Sequence, residues 1–322
     1  ASYASFHKYG PSDDTIGAGF FSGRYTSTIV AAGAVAKQVL KREGIEIISY
    51  VKEAAGIRAP DMDMDTIREK VSAYKEMRKT YDPVYQMVYG EDRVTEDMRF
   101  LQKMCVLAEL EEKVPELREK MVDFDEEEAR EKFGVHPKMN CPDVDTADAM
   151  TEKIVEIYNE GDSSGGVVEV VANGLPVGMG EPVFDKLDGE LGRMMSIGTV
   201  KAVEVGSGYK AKDMTGSQFN DEMRVREGKV EFTSNNAGGV LGGLSTGQPL
   251  VARVTVKPTP TIAKPEKTID KVSLENKDLA AITRRDPTIV ARVWPVVEAY
   301  TALILLDNYM MHKGYRAVAH LD

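Results

Sequence analysis

Between Asn235 and Ile262 the chain reads NNAGGVLGGLSTGQPLVARVTVKPTPTI, a glycine-dense loop that runs into a strand-like segment ending in Lys-Pro-Thr-Pro-Thr. Gly238, Gly239, Gly242 and Gly243 let backbone pass where a Cβ would clash, as close approach to a flat or phosphorylated ligand requires. Alternation along the strand puts Leu250, Ala252, Val254 and Val256 on one face and Arg253, Thr255 and Lys257 on the other. The first face suits a core. The second suits either a solvated edge or an anion, and this segment alone does not separate the two. Pro258 and Pro260 fix the following backbone, so Lys257, Thr259 and Thr261 are offered by a stiff segment.

Other reactive residue types carry weaker patterns. Asp286-Pro287 has the form of a helix N-cap followed by a first-turn proline. Asp123, Asp125, Glu126, Glu127 and Glu128 imitate a metal site, but like charges packed in sequence fit a solvated helix start better, and no metal is expected. His7, His136, His312 and His320 show neither metal-ligand nor triad spacing, and Cys105 and Cys141 form no CxxC pair. A GxxxxGK[ST] phosphate loop is absent, and Gly17, Gly19 and Gly23 only approach a dinucleotide fingerprint, with no strand before them.

These residues need a scaffold. The chain has 322 residues, 42% hydrophobic and 29% charged, enough to bury a full core. A net charge of −11 argues against a nucleic-acid or anionic-membrane surface, while an anionic small molecule stays open where local charge is reversed. Two cysteines in this length suit a reducing compartment, so a cytoplasmic location is expected. The most apolar segment, Thr288 to Met311, contains Arg292, Glu298 and Asp307, which marks a buried helix rather than a membrane span. Thr26 to Leu40 is apolar on nearly every helical face, as for a helix enclosed on several sides. Strands are expected at Ile45 to Val51, Val167 to Ala172, Val200 to Val205, Lys229 to Thr233 and Val251 to Val256. Asp63 to Phe133 differs, being dense in Lys, Arg, Glu and Met at helical spacing, and reads as a helical insertion. The sum is an α+β layered body, with a kink expected at Pro295.

Further blocks join the first one: GDSSGGVVEVVANGLPVGMGEPVFDKLDGELG from Gly161, IGTVKAVEVGSGY from Ile197, RRDPTIVARVWPVVEA from Arg284, and GAGFFSGRYTSTIVAAGAVAKQ from Gly17. Together they resemble the chorismate synthase family over the whole chain except roughly residues 63–133. The resemblance implies a single β-α-β sandwich domain, with sheets around buried helices, in a homotetramer. It implies a lyase that removes phosphate from 5-enolpyruvylshikimate 3-phosphate by 1,4-anti elimination, giving chorismate in aromatic amino-acid biosynthesis. Reduced FMN is required without net redox change, and NADPH only if the chain reduces its own flavin. A scaffold that keeps the fold and the flavin but not the chemistry is the alternative reading.

Carried over by position, the resemblance implies FMN contacts at Phe20, Phe21, Ser22, Gly198, Thr199, Gly242, Lys257, Pro258, Thr259, Pro260, Thr261 and Arg284. It implies active-site roles for Arg24 and Arg284, and makes Asp286 the aspartate that assists proton removal from flavin N5. A cap and a catalytic carboxylate are compatible roles for Asp286, since a capping side chain is held still. This chain departs from the family pattern at Phe20-Phe21-Ser22, where many members have Arg-Ser-Ser, and at Arg285, where many have His. The family's two catalytic histidines, in Gly-Glu-Ser-His-Gly and Arg-Pro-Gly-His, are not among these residues. The segment ASYASFHKYG aligns just after the second, so the chain is expected to lack that N-terminal part, and His7 matches neither. With general acids worth about 10² to 10⁴ each missing, these residues alone are expected to be nearly inactive.

Overall fold

The computed structural model of the chain describes residues 2–13, 21–82, 85–86, 125–279 and 285–319. Phe20, Arg284, Cys105, Asp123, His320 and residues 83–84 and 87–124 of the expected insertion lie outside them. The chain divides into two compact units, Ala1–Arg58 with Met150–Asp322, and Ala59–Ala149.

In the larger unit, β1 (Glu46–Ala54), β2 (Ile57–Arg58), β3 (Gly166–Asn173), β4 (Val200–Val205) and β9 (Leu250–Val256) form one antiparallel sheet ordered β2-β1-β3-β9-β4. The alternation expected of residues 250–256 is realised: Leu250, Ala252, Val254 and Val256 are buried and the residues between them half-buried. Three two-stranded hairpins stand beside the sheet: β5 (Met223–Arg226) with β6 (Lys229–Phe232), β7 (Val240–Leu241) with β8 (Leu244–Ser245), and β10 (Glu266–Ile269) with β11 (Asn276–Leu279). The strand expected at Lys229 to Thr233 is therefore outside the main sheet. Glu227 and Gly228, with φ of 50° and 76°, turn it back on β5.

Helices α2 (Thr26–Arg42) and α8 (Val290–Ala319) pack against each other, and α8 also packs on β1 and β3. Gly33 is the contact point, because a Cβ there would lie 2.4 Å from the Cβ of Ala299. The helix expected to be enclosed on several sides buries one stripe, Gly33, Ala36 and Leu40, and leaves Val35 and Val39 exposed. Its period is amphipathic after all; alanine and valine on the outer face had masked this. Glu298 of α8, 1% exposed, accepts from Lys37 Nζ at 2.6 Å and from the Ser49 N–H and hydroxyl of β1 at 3.1 and 2.9 Å. Helix α2, helix α8 and the sheet are thus joined at one carboxylate. Pro295 lies within α8. Among the described residues no helix is long and apolar enough to cross a membrane.

The smaller unit is built from α3 (Met64–Thr80), α4 (Glu126–Phe133) and the start of α5 (Val144–Asn159). Asp63 caps α3 by accepting from the Thr66 N–H at 2.9 Å, and the acidic run at Asp125 to Glu128 is the cap and first turn of α4. Gly134 ends α4 in the left-handed region at φ 62°. His136 Nδ1 accepts the N–H groups of Lys138 and Met139, at 3.1 and 3.0 Å, so a histidine without ligand spacing serves as a turn acceptor.

Candidate functional site

Strand register decides which loops meet. Ala54, Gly166, Val256 and Val200 are aligned across four neighbouring strands, so the chain leaving each of them emerges at the same end of the sheet. At this end the Lys257 N–H donates to the Thr199 carbonyl oxygen at 3.0 Å, which continues the β4–β9 pairing beyond both strands. Gly165 packs under the same run: a Cβ there would lie 2.5 Å from the Val256 carbonyl oxygen and 3.3 Å from Cδ of Pro258. The Ser163 hydroxyl donates to the Thr259 carbonyl oxygen and the Thr259 hydroxyl to the Asp286 carbonyl oxygen, both at 2.7 Å. The Ser164 N–H donates to the Pro287 carbonyl oxygen at 2.9 Å, and Ser164 bridges Thr288 in parallel. Loop 161–165, the run from Lys257 to Thr261, Thr199 and the segment from Asp286 to Thr288 therefore form one seam.

The sequence-derived residues can now be placed. Thr199, Lys257 and Thr259 are joined directly with Asp286 through that seam, and Gly198, Pro258, Pro260 and Thr261 adjoin them. Ser22 accepts from the Arg24 N–H at 3.2 Å and opens the turn Gly23–Tyr25; the Tyr25 hydroxyl then donates to the Ser196 carbonyl oxygen at 3.3 Å. This brings Phe21, Ser22 and Arg24 toward the same end, ahead of Gly198. Gly242 goes elsewhere. It turns the β7–β8 hairpin, which is held by the Leu187 N–H on the Gly243 carbonyl oxygen, beyond the Leu250 end of β9. Seven residues of strand separate that end from Lys257, about 20 Å at the usual rise.

One expectation is corrected, and one alternative that the sequence left open is decided. Asp286 does not cap α8, which begins at Val290, where the Thr288 hydroxyl accepts from the Val290 N–H at 3.3 Å. Thr288 is bridged to Ser164 in parallel, and the helix begins only after it. The Asp286 carboxylate, 63% exposed, instead pairs with Arg292 at 3.3 Å. Arg253 likewise does not offer its charge to an anion. Glu169 of β3 and Glu204 of β4 stand opposite it in register, and their carboxylates lie 3.1 and 3.7 Å away. The Tyr50 hydroxyl of β1 completes this lateral row by bonding Glu169.

Lys257, beyond the sheet, has no carboxylate partner among the described residues. Thr199 is held at φ 79°, where a β-branched side chain is strained, and its buried hydroxyl has no hydrogen-bond partner among the described residues. Gly198 beside it is exposed, with open space where a Cβ would be. At the edge of loop 161–165, the Lys264 ammonium, 2.7 Å from Asp162, holds that carboxyl below the usual carboxylate range. A free cation, an unused hydroxyl and a glycine with open space fit a ligand that carries a phosphate. Ser163, Ser164, Gly165 and Thr288 were given no role from the sequence. The available signal was the Ser-Ser-Gly-Gly run just before the β-branched residues of β3.

A family model described as chorismate synthase matches residues 1–310. Chorismate synthase of Acetivibrio thermocellus is 39% identical over 322 residues, covering 99% of this chain and 66% of that protein. That of Methanococcoides burtonii is also 39% identical, covering 98% of this chain and 69% of that protein. A crystal structure of chorismate synthase superposes with a TM-score of 0.59 at 26% identity, over 90% of this chain and 64% of that one. The chain thus spans about two thirds of the length of the relatives it matches.

Proposed function

We propose, from the premise that this chain belongs to the chorismate synthase family, that it carries out the 1,4-anti elimination of phosphate from 5-enolpyruvylshikimate 3-phosphate, giving chorismate. Reduced FMN would be held at the Lys257 end of the sheet. The observation that carries this reading is the seam itself, which ties Thr199, Lys257, Thr259 and Asp286 into one site although they lie far apart in sequence.

Each residue has a task that its setting supports. The Lys257 ammonium, free of carboxylates among the described residues, neutralises a phosphate in a protein of net charge −11. Pro258 and Pro260 hold it on a stiff run. The Thr199 hydroxyl, buried and unbonded among the described residues, makes its hydrogen bond to the flavin. The Asp286 carboxylate, paired with Arg292 at 3.3 Å, would stand as the proton acceptor for flavin N5. Arg24 and Arg284 supply further positive charge for substrate anions. When bound, reduced FMN lends electron density to the substrate as phosphate leaves, with no net redox change.

We place the protein in the cytoplasm as a homotetramer, which light scattering on the purified full-length protein checks. The activity test is phosphate release from 5-enolpyruvylshikimate 3-phosphate by the full-length protein with reduced FMN. Release that needs both components supports the reading, whereas FMN binding without release refutes it.

A further inference from the structure

Ser164 has a hydroxyl that no described residue bonds. The residue is 5% exposed and its Oγ has no hydrogen-bond partner among the described residues. Polar groups next to it in the chain are occupied: its own N–H by Pro287, the Ser163 hydroxyl by Thr259, and the Gly165 carbonyl oxygen by the Ala55 N–H at 3.1 Å. Buried hydroxyls are almost always bonded, so one left over inside a candidate site marks a bond kept for a ligand.

We propose that Ser164 is a further binding residue, whose hydroxyl donates to a phosphate oxygen of a ligand at the Lys257 end of the sheet. This rests on the assignment of the flavin and substrate to that end. Position argues for it, since Ser164 lies in the seam between Thr259 and Thr288, one residue from the glycine on which Val256 and Pro258 pack. Chemistry argues for an oxyanion, because Lys257 supplies a cation with no carboxylate partner among the described residues, and a hydroxyl is a short-reach donor. The phosphate belongs either to FMN or to the substrate, and the two sources are separable.

The test uses the full-length protein and its Ser164→Ala variant. Thermal midpoints are measured without ligand, and affinities for FMN, for riboflavin and for 5-enolpyruvylshikimate 3-phosphate by titration. Ser164→Ala should melt at or above the parent temperature, because it removes a hydroxyl with no bond to lose. One phosphorylated ligand should bind about tenfold more weakly. If that ligand is FMN, riboflavin affinity stays unchanged and the flavin phosphate is the partner; if it is the shikimate ester, the substrate phosphate is. A clear drop in melting temperature would show a structural bond and overturn the proposal, as would unchanged affinity for both phosphorylated ligands. Lys257→Ala is the control for the underlying assignment. Should it bind FMN as well as the parent, that assignment fails; should it alone lose FMN while Ser164→Ala keeps every affinity, only the role of Ser164 fails.

Discussion

The hydroxyl of Thr259 donates to the carbonyl oxygen of Asp286 at 2.7 Å, a single bond between residues 27 apart in sequence. It fastens the stiff run after β9 to the extended approach to α8. Thr259→Val keeps the shape and removes the bond, so FMN affinity should fall about fivefold, whereas Thr259→Ser should retain it. Flavin fluorescence titration of the three proteins decides; equal affinities would mean that the two segments are positioned independently.

Thr199 combines a strained backbone with an unused hydroxyl. Glycine relieves the first and removes the second. Thr199→Gly is therefore expected to raise stability by about 1 kcal/mol in urea unfolding while weakening FMN binding. Stability and affinity moving in the same direction would contradict a hydroxyl reserved for the flavin.

Glu298 is 1% exposed and pairs with the Lys37 ammonium at 2.6 Å. Removing the cation leaves a buried carboxylate that keeps its bonds from Ser49 but has lost this charge partner. Lys37→Met should cost about 3 kcal/mol of unfolding free energy. Arg68→Met, which breaks an exposed pair with Asp65, should cost under about 1 kcal/mol. Similar losses in the two variants would remove the special status of the clamp.

Gly33 faces Ala299 where α2 and α8 touch, and an added Cβ would meet both the Cβ and the backbone of Ala299 below 3 Å. Backbone cannot swing aside as a side chain can. Gly33→Ala is expected to destabilise by about 2 kcal/mol despite the better helix propensity of alanine, and a rise in melting temperature would show that the helices part freely.

His136 gives a pH dependence. Burial holds its imidazole below the ordinary value of 6.5, against the opposing pull of Asp148, and Nδ1 is already an acceptor. The unfolded chain binds the proton first as pH falls, so stability should decline below about pH 6.5 until the folded form protonates too. His136→Asn can accept the same two N–H groups without titrating. The parent's loss of thermal stability between about pH 7.5 and about pH 5.5 should be smaller in this variant. Parallel profiles for the two proteins would assign the acid sensitivity elsewhere.

The sequence by itself determined the elements whose cause is local. Alternation in residues 250–256 gave a strand with one buried face, β-branched runs gave β1, β3 and β4, and apolar spacing located α2 and α8, because side-chain period follows directly from backbone geometry. Family resemblance, carried by blocks of residues, supplied the candidate site as a set of positions. Only the tertiary structure decided which of them meet. Register put Thr199, Lys257 and Asp286 at one end of the sheet and Gly242 at the other. Cross-strand neighbours consumed the charge of Arg253, although in sequence it looked as available as Lys257. Helix α8 begins only after the bridge between Ser164 and Thr288, and Asp286 does not cap it. These outcomes depend on groups brought together from distant parts of the chain, and a hydrogen bond left unmade, as at Ser164, becomes visible only once every neighbour has been placed.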